Sequence, residues 1–185
     1  MALPDSPRKL TYDDYLLFPE DDGLRHEILD GEHYVTAAPF FRHQFLAGRL
    51  YLRLGRFVEE RDLGVAVFAP VDVLLSPYDI AQPDLLFISK ERAGIITKKN
   101  LQGAPDLVVE ILSESTRRRD GGIKLERYDR FGVGEYWMLD PDSKAAWVYR
   151  RDGGRLRRAA ELSAEDVLTS PLLPGLEIRL AEVFE

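Results

Sequence analysis

Two segments of this chain, 82–89 (QPDLLFIS) and 105–113 (PDLVVEILS), are apolar runs of strand length, with Asp84 set into the first and Glu110 into the second. Continuous apolar runs suit strands covered on both faces, whereas a half-exposed strand alternates. A third run, Val65 to Leu75, has the same character, so the three strand candidates are Val65–Leu75, Asp84–Ile88 and Leu107–Leu112. Such a set calls for a central sheet between layers of helix. The acids constrain the fold further. Burying an ionised carboxylate without a partner costs several kcal/mol or more, so Asp84 and Glu110 each need a reason to be there. A strand-end cap or an arginine is one such reason, and a cation is another. If the two strands are neighbours, their acids can meet across the sheet and offer hard oxygen ligands to Mg²⁺, which keeps several waters of its own.

The remaining elements fit around that sheet. Thr11 followed by Asp14 resembles a helix N-cap, predicting a short helix through Tyr15 to Phe18 that Pro19 ends, with a turn at Glu20-Asp21-Asp22-Gly23. RHEILDGEHYVT reads as an N-terminal β-hairpin hinged at Asp30-Gly31. Leu46, Leu50, Leu54 and Phe57 are spaced by four, four and three, which is one face of a long helix from His43 to about Glu60. A second helix is expected from Asp120 to Phe131, with Gly121 and Gly122 weakening its first turn. EYWMLD and AAWVYR follow as a strand pair, and SPLLPGLEI as a loop and short edge strand.

With 185 residues and no linker composition, the expectation is a single domain over 1–185. The absence of cysteine excludes disulfide scaffolds, thiolate metal sites and cysteine nucleophiles, leaving oxygen or imidazole ligands for any metal. No stretch approaches the roughly 20 apolar residues that span a bilayer. The opening MALPDSPRKL lacks a secretory hydrophobic region, so the simplest expectation is cytoplasmic with no membrane partner. A net charge of -7 argues against a general polyanion binder, although a local basic surface would still attract phosphate.

Asp120, Lys124 and Tyr128 recur every four residues, which places them on one helical face. Glu27, in an otherwise apolar strand, is either a metal or water ligand or a structural partner for Arg25 or a loop amide. His43 opens the apolar face of the long helix, where packing is favoured over a role in the site; Tyr128 could hydrogen-bond a site carboxylate or phosphate, although packing is again the favoured reading. Lys98-Lys99, Arg117-Arg118-Arg119 and Arg150-Arg151 could follow a phosphate backbone, but solvated loops are the simpler account. The arginine run is the strongest of these because it lies between Glu110 and Lys124. Trp137 and Trp147 are most simply packing residues.

From Tyr12 to Phe184 the chain resembles the Uma family of restriction-endonuclease-like proteins, within the PD-(D/E)XK nuclease superfamily. The resemblance rests on the ordered set HEILDGEHY, FFRHQ, QPDLLFIS, APDLVVEILSEST, RRRDGGIKLERYDRFGVGEYWMLDP and SPLLPGLEI. It implies an α/β (α+β) fold with a restriction-endonuclease-like central mixed sheet flanked by helices and a metal site at its middle strands. It also implies that Asp84, Glu110 and the carbonyl of Ile111 hold Mg²⁺, with Mn²⁺ as a substitute, and that Lys124 orients the water or neutralises charge on the phosphate; Glu27 is the candidate for an additional acid in the catalytic set. Leu112 stands where the motif's lysine belongs, so the assignment requires Lys124 to supply that ammonium from the helix. SEST also replaces the family's more usual SPST.

The leading expectation is therefore a Mg²⁺-dependent nuclease acting on phosphodiester bonds, most simply in DNA, as a homodimer. The alternative is a nuclease-fold protein that binds or self-associates without turnover. A metal-assisted hydrolase of a smaller phosphate or ester would use the same residues.

Overall fold

The computed structural model describes residues 8–19 and 22–185. The first seven residues of the opening segment and the Glu20-Asp21 half of the expected turn lie outside the described residues. In chain order the elements are α1 (Tyr12–Tyr15), β1 (Arg25–Leu29), β2 (Glu32–Thr36), α2 (Phe41–Glu60), β3 (Gly64–Phe68), β4 (Val73–Ser76), β5 (Asp79–Ala81) and β6 (Leu85–Ser89). A 3-10 turn over Lys90–Ile95 leads to β7 (Leu101–Gln102) and β8 (Leu107–Ile111). Then follow α3 (Arg117–Arg119), a π-turn over Asp120–Lys124, α4 (Leu125–Phe131), β9 (Glu135–Asp140), β10 (Ala145–Asp152), β11 (Arg155–Leu162), β12 (Val167–Ser170), β13 (Leu173–Arg179) and α5 (Ala181–Phe184).

The central six-stranded sheet runs β11-β10-β9-β8-β6-β3, and it is mixed because β8 and β9 are parallel while their other neighbours are antiparallel. Every residue of β8 and β9 is buried, as continuous apolar runs require. One face packs on Leu46, Leu50, Leu54 and Phe57 of α2. The other packs on Tyr128 of α4 with Val108, Leu112, Tyr136 and Met138. A second sheet, β2-β1-β5-β4-β7, carries the expected hairpin. Asp30 and Gly31 both have positive φ, 53° and 80°, which a two-residue turn of this kind needs.

Several boundaries differ from the sequence expectation. The run Val65–Leu75 is two strands in different sheets: β3 edges the central sheet and β4 lies in the smaller one. Pro70 between them has no N–H to continue a ladder. The first helix follows a Thr11–Asp14 capping box but stops at Tyr15 rather than Phe18. The closing segment is a hairpin, β12 with β13, where a loop and one edge strand were expected. The second long helix begins at Arg117, three residues early, so the arginine run is helical rather than a loop. Gly121 and Gly122 sit inside its π-turn, a wider turn typical of functional segments.

Candidate active site

The register of the central sheet brings the two embedded acids together. β6 and β8 pair with Leu85 opposite Val109, so the same register continued by one step sets Asp84 opposite Glu110. Residues opposite one another in an antiparallel pair project from the same face. Because β6 begins only at Leu85, the N–H of Ile111 has no strand partner before it and instead donates to Asp84 Oδ2 at 2.8 Å. An extended residue presents N–H and C=O on one side, so the Ile111 carbonyl also points past the end of β6.

Each carboxylate has a distinct set of partners. Asp84 Oδ1 accepts from Arg25 Nη1 at 2.7 Å, and His43 Nε2 lies 3.2 Å from Oδ2. Burial acts to raise the Asp84 carboxyl, but His43, Arg25 and the Ile111 amide outweigh it and hold the group well below the usual carboxylate range. Glu110 is placed differently. Its Oε1 accepts from Lys124 Nζ at 2.7 Å and from Tyr128 Oη at 2.9 Å. Burial pushes its carboxyl up to about 8, with Lys124 opposing and Asp120, Asp84 and Glu27 adding to the rise.

Lys124 is 1% exposed and sits between two acids, 2.7 Å from Glu110 Oε1 and 2.8 Å from Glu27 Oε1, with Asp120 Oδ1 at 3.8 Å. Burial alone would depress its ammonium, yet Glu110, Glu27 and Asp120 more than offset this, and the group is raised above its ordinary value. It therefore stays charged. Glu27 also accepts from the Gln82 amide at 2.8 Å and lies 3.5 Å from Arg119 Nη2. Burial would raise Glu27, but Lys124 and Arg119 bring it below its ordinary value.

These groups surround one cavity of about 660 Å³, lined among others by Arg25, His43, Asp84, Glu110, Ile111 and Lys124. The fit to a cation can be judged from charge and from unmet valence. Four acids, Glu27, Asp84, Glu110 and Asp120, face three cations, Arg25, Arg119 and Lys124, so a divalent ion is what would let all four ionise together. Asp120 Oδ1 is buried without a hydrogen-bond partner among the described residues, and both bonds to Glu110 fall on the same oxygen. Among the described residues no three histidine or acid side chains form a ready-made cage. Two carboxylates and a carbonyl are nonetheless a sufficient protein contribution for Mg²⁺, which retains waters. The residues fit a hard divalent ion.

The structure thus brings Asp84, Glu110, Ile111, Lys124 and Glu27 to one place. It also brings His43 there, correcting its reading as a packing residue. His43 does lie on the face of α2 that bears Leu46 and Leu50, but at this end of the helix that face meets Asp84 rather than apolar core. Tyr128 combines both readings, being fully buried and bonded to Glu110. Arg119, the last residue of the arginine run that lies between Glu110 and Lys124, reaches Glu27, whereas Arg25, expected only as a possible partner of Glu27, binds Asp84 instead. Of the other basic clusters, Arg151 is spent on the carbonyls of Val133, Asp129 and Gly154, while Lys98 and Lys99 are exposed. Trp137 is buried, its indole donating to Glu135.

No helix among the described residues is long and apolar enough to cross a membrane. A solved structure of similar fold is that of a putative nuclease belonging to DUF820 from Anabaena variabilis ATCC 29413. It shares 18% identity and a TM-score of 0.79, covering 95% of this chain and 97% of that one. No curated protein matches the chain. The family model described as "Putative restriction endonuclease" matches residues 12–181, and with that span of ordered motifs the chain belongs to the Uma2 family.

Proposed function

We propose that this chain, as one domain over 1–185, is a Mg²⁺-dependent nuclease that hydrolyses phosphodiester bonds in DNA. The observation that carries the reading is Lys124: its ammonium, raised from the helix, lies 2.7 Å from Glu110 where Leu112 cannot supply one. Family membership and the similar fold of a protein described as a putative nuclease support it.

Asp84, Glu110 and the Ile111 carbonyl would hold Mg²⁺, or Mn²⁺ in its place. When bound, such an ion makes a water more acidic and polarises a phosphate oxygen. Lys124, fixed by Glu27 and Glu110, is a permanent cation that can donate to the attacking water or to a phosphate oxygen gaining charge. Glu27 acts on this reading as the residue that positions Lys124. Arg25 and Arg119 lie close enough to neutralise further phosphate charge. Two-fold dimers fit a substrate with two strands, and a cytoplasmic address completes the reading. Light scattering tests the first and cell fractionation the second.

The test is plasmid cleavage in Mg²⁺ or Mn²⁺ by the wild type and by Asp84→Ala. Loss of cutting in the variant supports the proposal; equal traces mean that any cutting is contamination, and the proposal fails.

One observation favours a second reading, a fold of this kind that binds without turnover. Both Asp84 oxygens are already engaged by Arg25, His43 and the Ile111 amide. Calorimetry discriminates the two: heat of Mg²⁺ binding that vanishes in Asp84→Ala belongs to the nuclease alone.

A further inference from the structure

The side of α2 turned away from the core is apolar too. Phe41, Phe45 and Leu52 lie opposite the buried stripe of Leu46, Leu50 and Leu54 and face solvent. Phe40 and Phe41 are 84% and 82% exposed, and Phe40 lines the cavity that holds Asp84 and Glu110. From that mouth a ladder of flat groups runs along the helix. The rings of Phe41 and Phe45 are stacked, with centroids 5.7 Å apart and planes 18° from parallel. The Arg49 guanidinium lies over the Phe45 ring, 4.9 Å from its centre. Gly48 adds no side chain to this face, and a Cβ there would meet nothing within 4 Å.

The helix's own charges beside the ladder have one sign. Residues 41–58 hold four arginines and no acid, in a chain whose net charge is -7. Arg42, Arg53 and Arg56 have acidic neighbours, but Arg49 Nη1 is buried without a hydrogen-bond partner among the described residues. Stacked aromatics interleaved with arginines, leading out of the cavity that holds Asp84 and Glu110, match the faces and charges of an unpaired nucleic-acid strand. A duplex would offer mostly phosphate and sugar, with no ring faces for Phe41 to cover. Two copies of α2 pairing along this stripe would set like charges against one another.

We infer that Phe40, Phe41 and Phe45, with Arg49, form a stacking platform for unpaired bases, so that the DNA engaged at this site is single-stranded beside the cavity. The inference rests on the nuclease reading above. Base stacking on aromatics tolerates any sequence, so this platform selects for strand state and not for base identity.

The experiment is fluorescence anisotropy with the full chain in EDTA, using a labelled 20-nucleotide oligothymidylate, an abasic oligomer of equal charge and a 20-base-pair duplex. The oligothymidylate is expected to bind at least tenfold tighter than either of the others. Phe41→Ala/Phe45→Ala is expected to remove that advantage while retaining the wild-type circular dichroism spectrum, and Phe41→Tyr is expected to keep it. Equal binding of the abasic and thymidylate oligomers overturns the inference, since phosphate contacts alone then account for affinity. So does a double variant that binds thymidylate normally but changes from dimer to monomer by light scattering, which would make the stripe a self-association surface. Plasmid cleavage that depends on Asp84, found together with equal oligomer binding, sinks the platform and leaves the nuclease reading intact. Ring-dependent binding without Asp84-dependent cleavage does the reverse.

Discussion

Lys124 and Glu110 meet across 14 residues of chain, Nζ to Oε1 at 2.7 Å, in a place that water barely reaches. The ammonium arrives from a helix packed on the sheet, whereas Leu112, two residues beyond Glu110 on the same strand face, joins Val108, Tyr128 and Met138 in the apolar layer.

Because Lys124 separates two buried acids, Lys124→Met should be costly for folding. Removing one partner of a buried ion pair usually costs about 3–5 kcal/mol, since the other charge is stranded. Urea unfolding should show a loss in that range, while Lys124→Met/Glu110→Gln should recover part of it. A single variant as stable as the wild type would mean that the ammonium is not engaged as described.

Tyr128→Phe removes one hydrogen bond from Glu110 and keeps the ring that fills the core. The expected loss is about 1 kcal/mol, the net worth of one such bond. Thermal melting measures it, and a loss near that of an aromatic deletion would show that the hydroxyl does more than this.

Asp140 supplies a pH dependence away from the site. Burial raises its carboxyl, but Arg117, Ser143 and the Asp142 amide lower it further, to about 2. A folded pKa below the ordinary 3.8 means stability that is fully present above about pH 4 and is lost as pH falls toward 2. The difference corresponds to roughly 2 kcal/mol. Asp140→Asn should therefore be less stable than the wild type at pH 7, with the gap narrowing between pH 4 and pH 2. A gap that stays constant over that interval contradicts the assignment.

Arg151 donates to the carbonyls of Val133, Asp129 and Gly154 around the end of α4, which stops at Gly132 in the left-handed conformation. Arg151→Met should lower stability by about 1–3 kcal/mol, as expected when buried acceptors lose their donor. Its affinity for oligothymidylate should match the wild type. Weakened binding at unchanged stability would return this arginine to a phosphate-contacting role.

The sequence was most legible where composition and periodicity spoke for one environment. Apolar runs marked β6, β8 and β9, and Asp30-Gly31 marked the hairpin, because two-sided burial and positive φ leave narrow choices of residue. The acids at 84 and 110 stood out for the same reason. β11 did not, since RLRRAAEL is charged on its outward positions and has only a weak alternation to betray its pairing with β10. His43 was misread because periodicity gives the face of a helix but not what lies beneath it. The N-terminal half of the run at 65–75 looked continuous with the remainder because Pro70 was the only break in it. Arg25 needed the third dimension, since it lies beside Asp84 from 59 residues away, and so did the partner of Arg119, because Glu27 stands in a distant strand of the chain.

The π-turn at Asp120–Lys124 makes helical phase a working part of the protein. It offsets the turn that carries Arg119 from the turn that carries Lys124, and both converge on Glu27. Each residue of α-helix advances the azimuth by about 100°, so regular helix would set Arg119 and Lys124, five residues apart, about 140° from one another; the wider turn closes that angle, and forcing residues 120–124 into α-helix would swing one cation away from the other with every charged side chain intact. Two chains with identical acids and bases can therefore differ in whether those groups share a target, according to whether this segment winds as a π-turn or as α-helix.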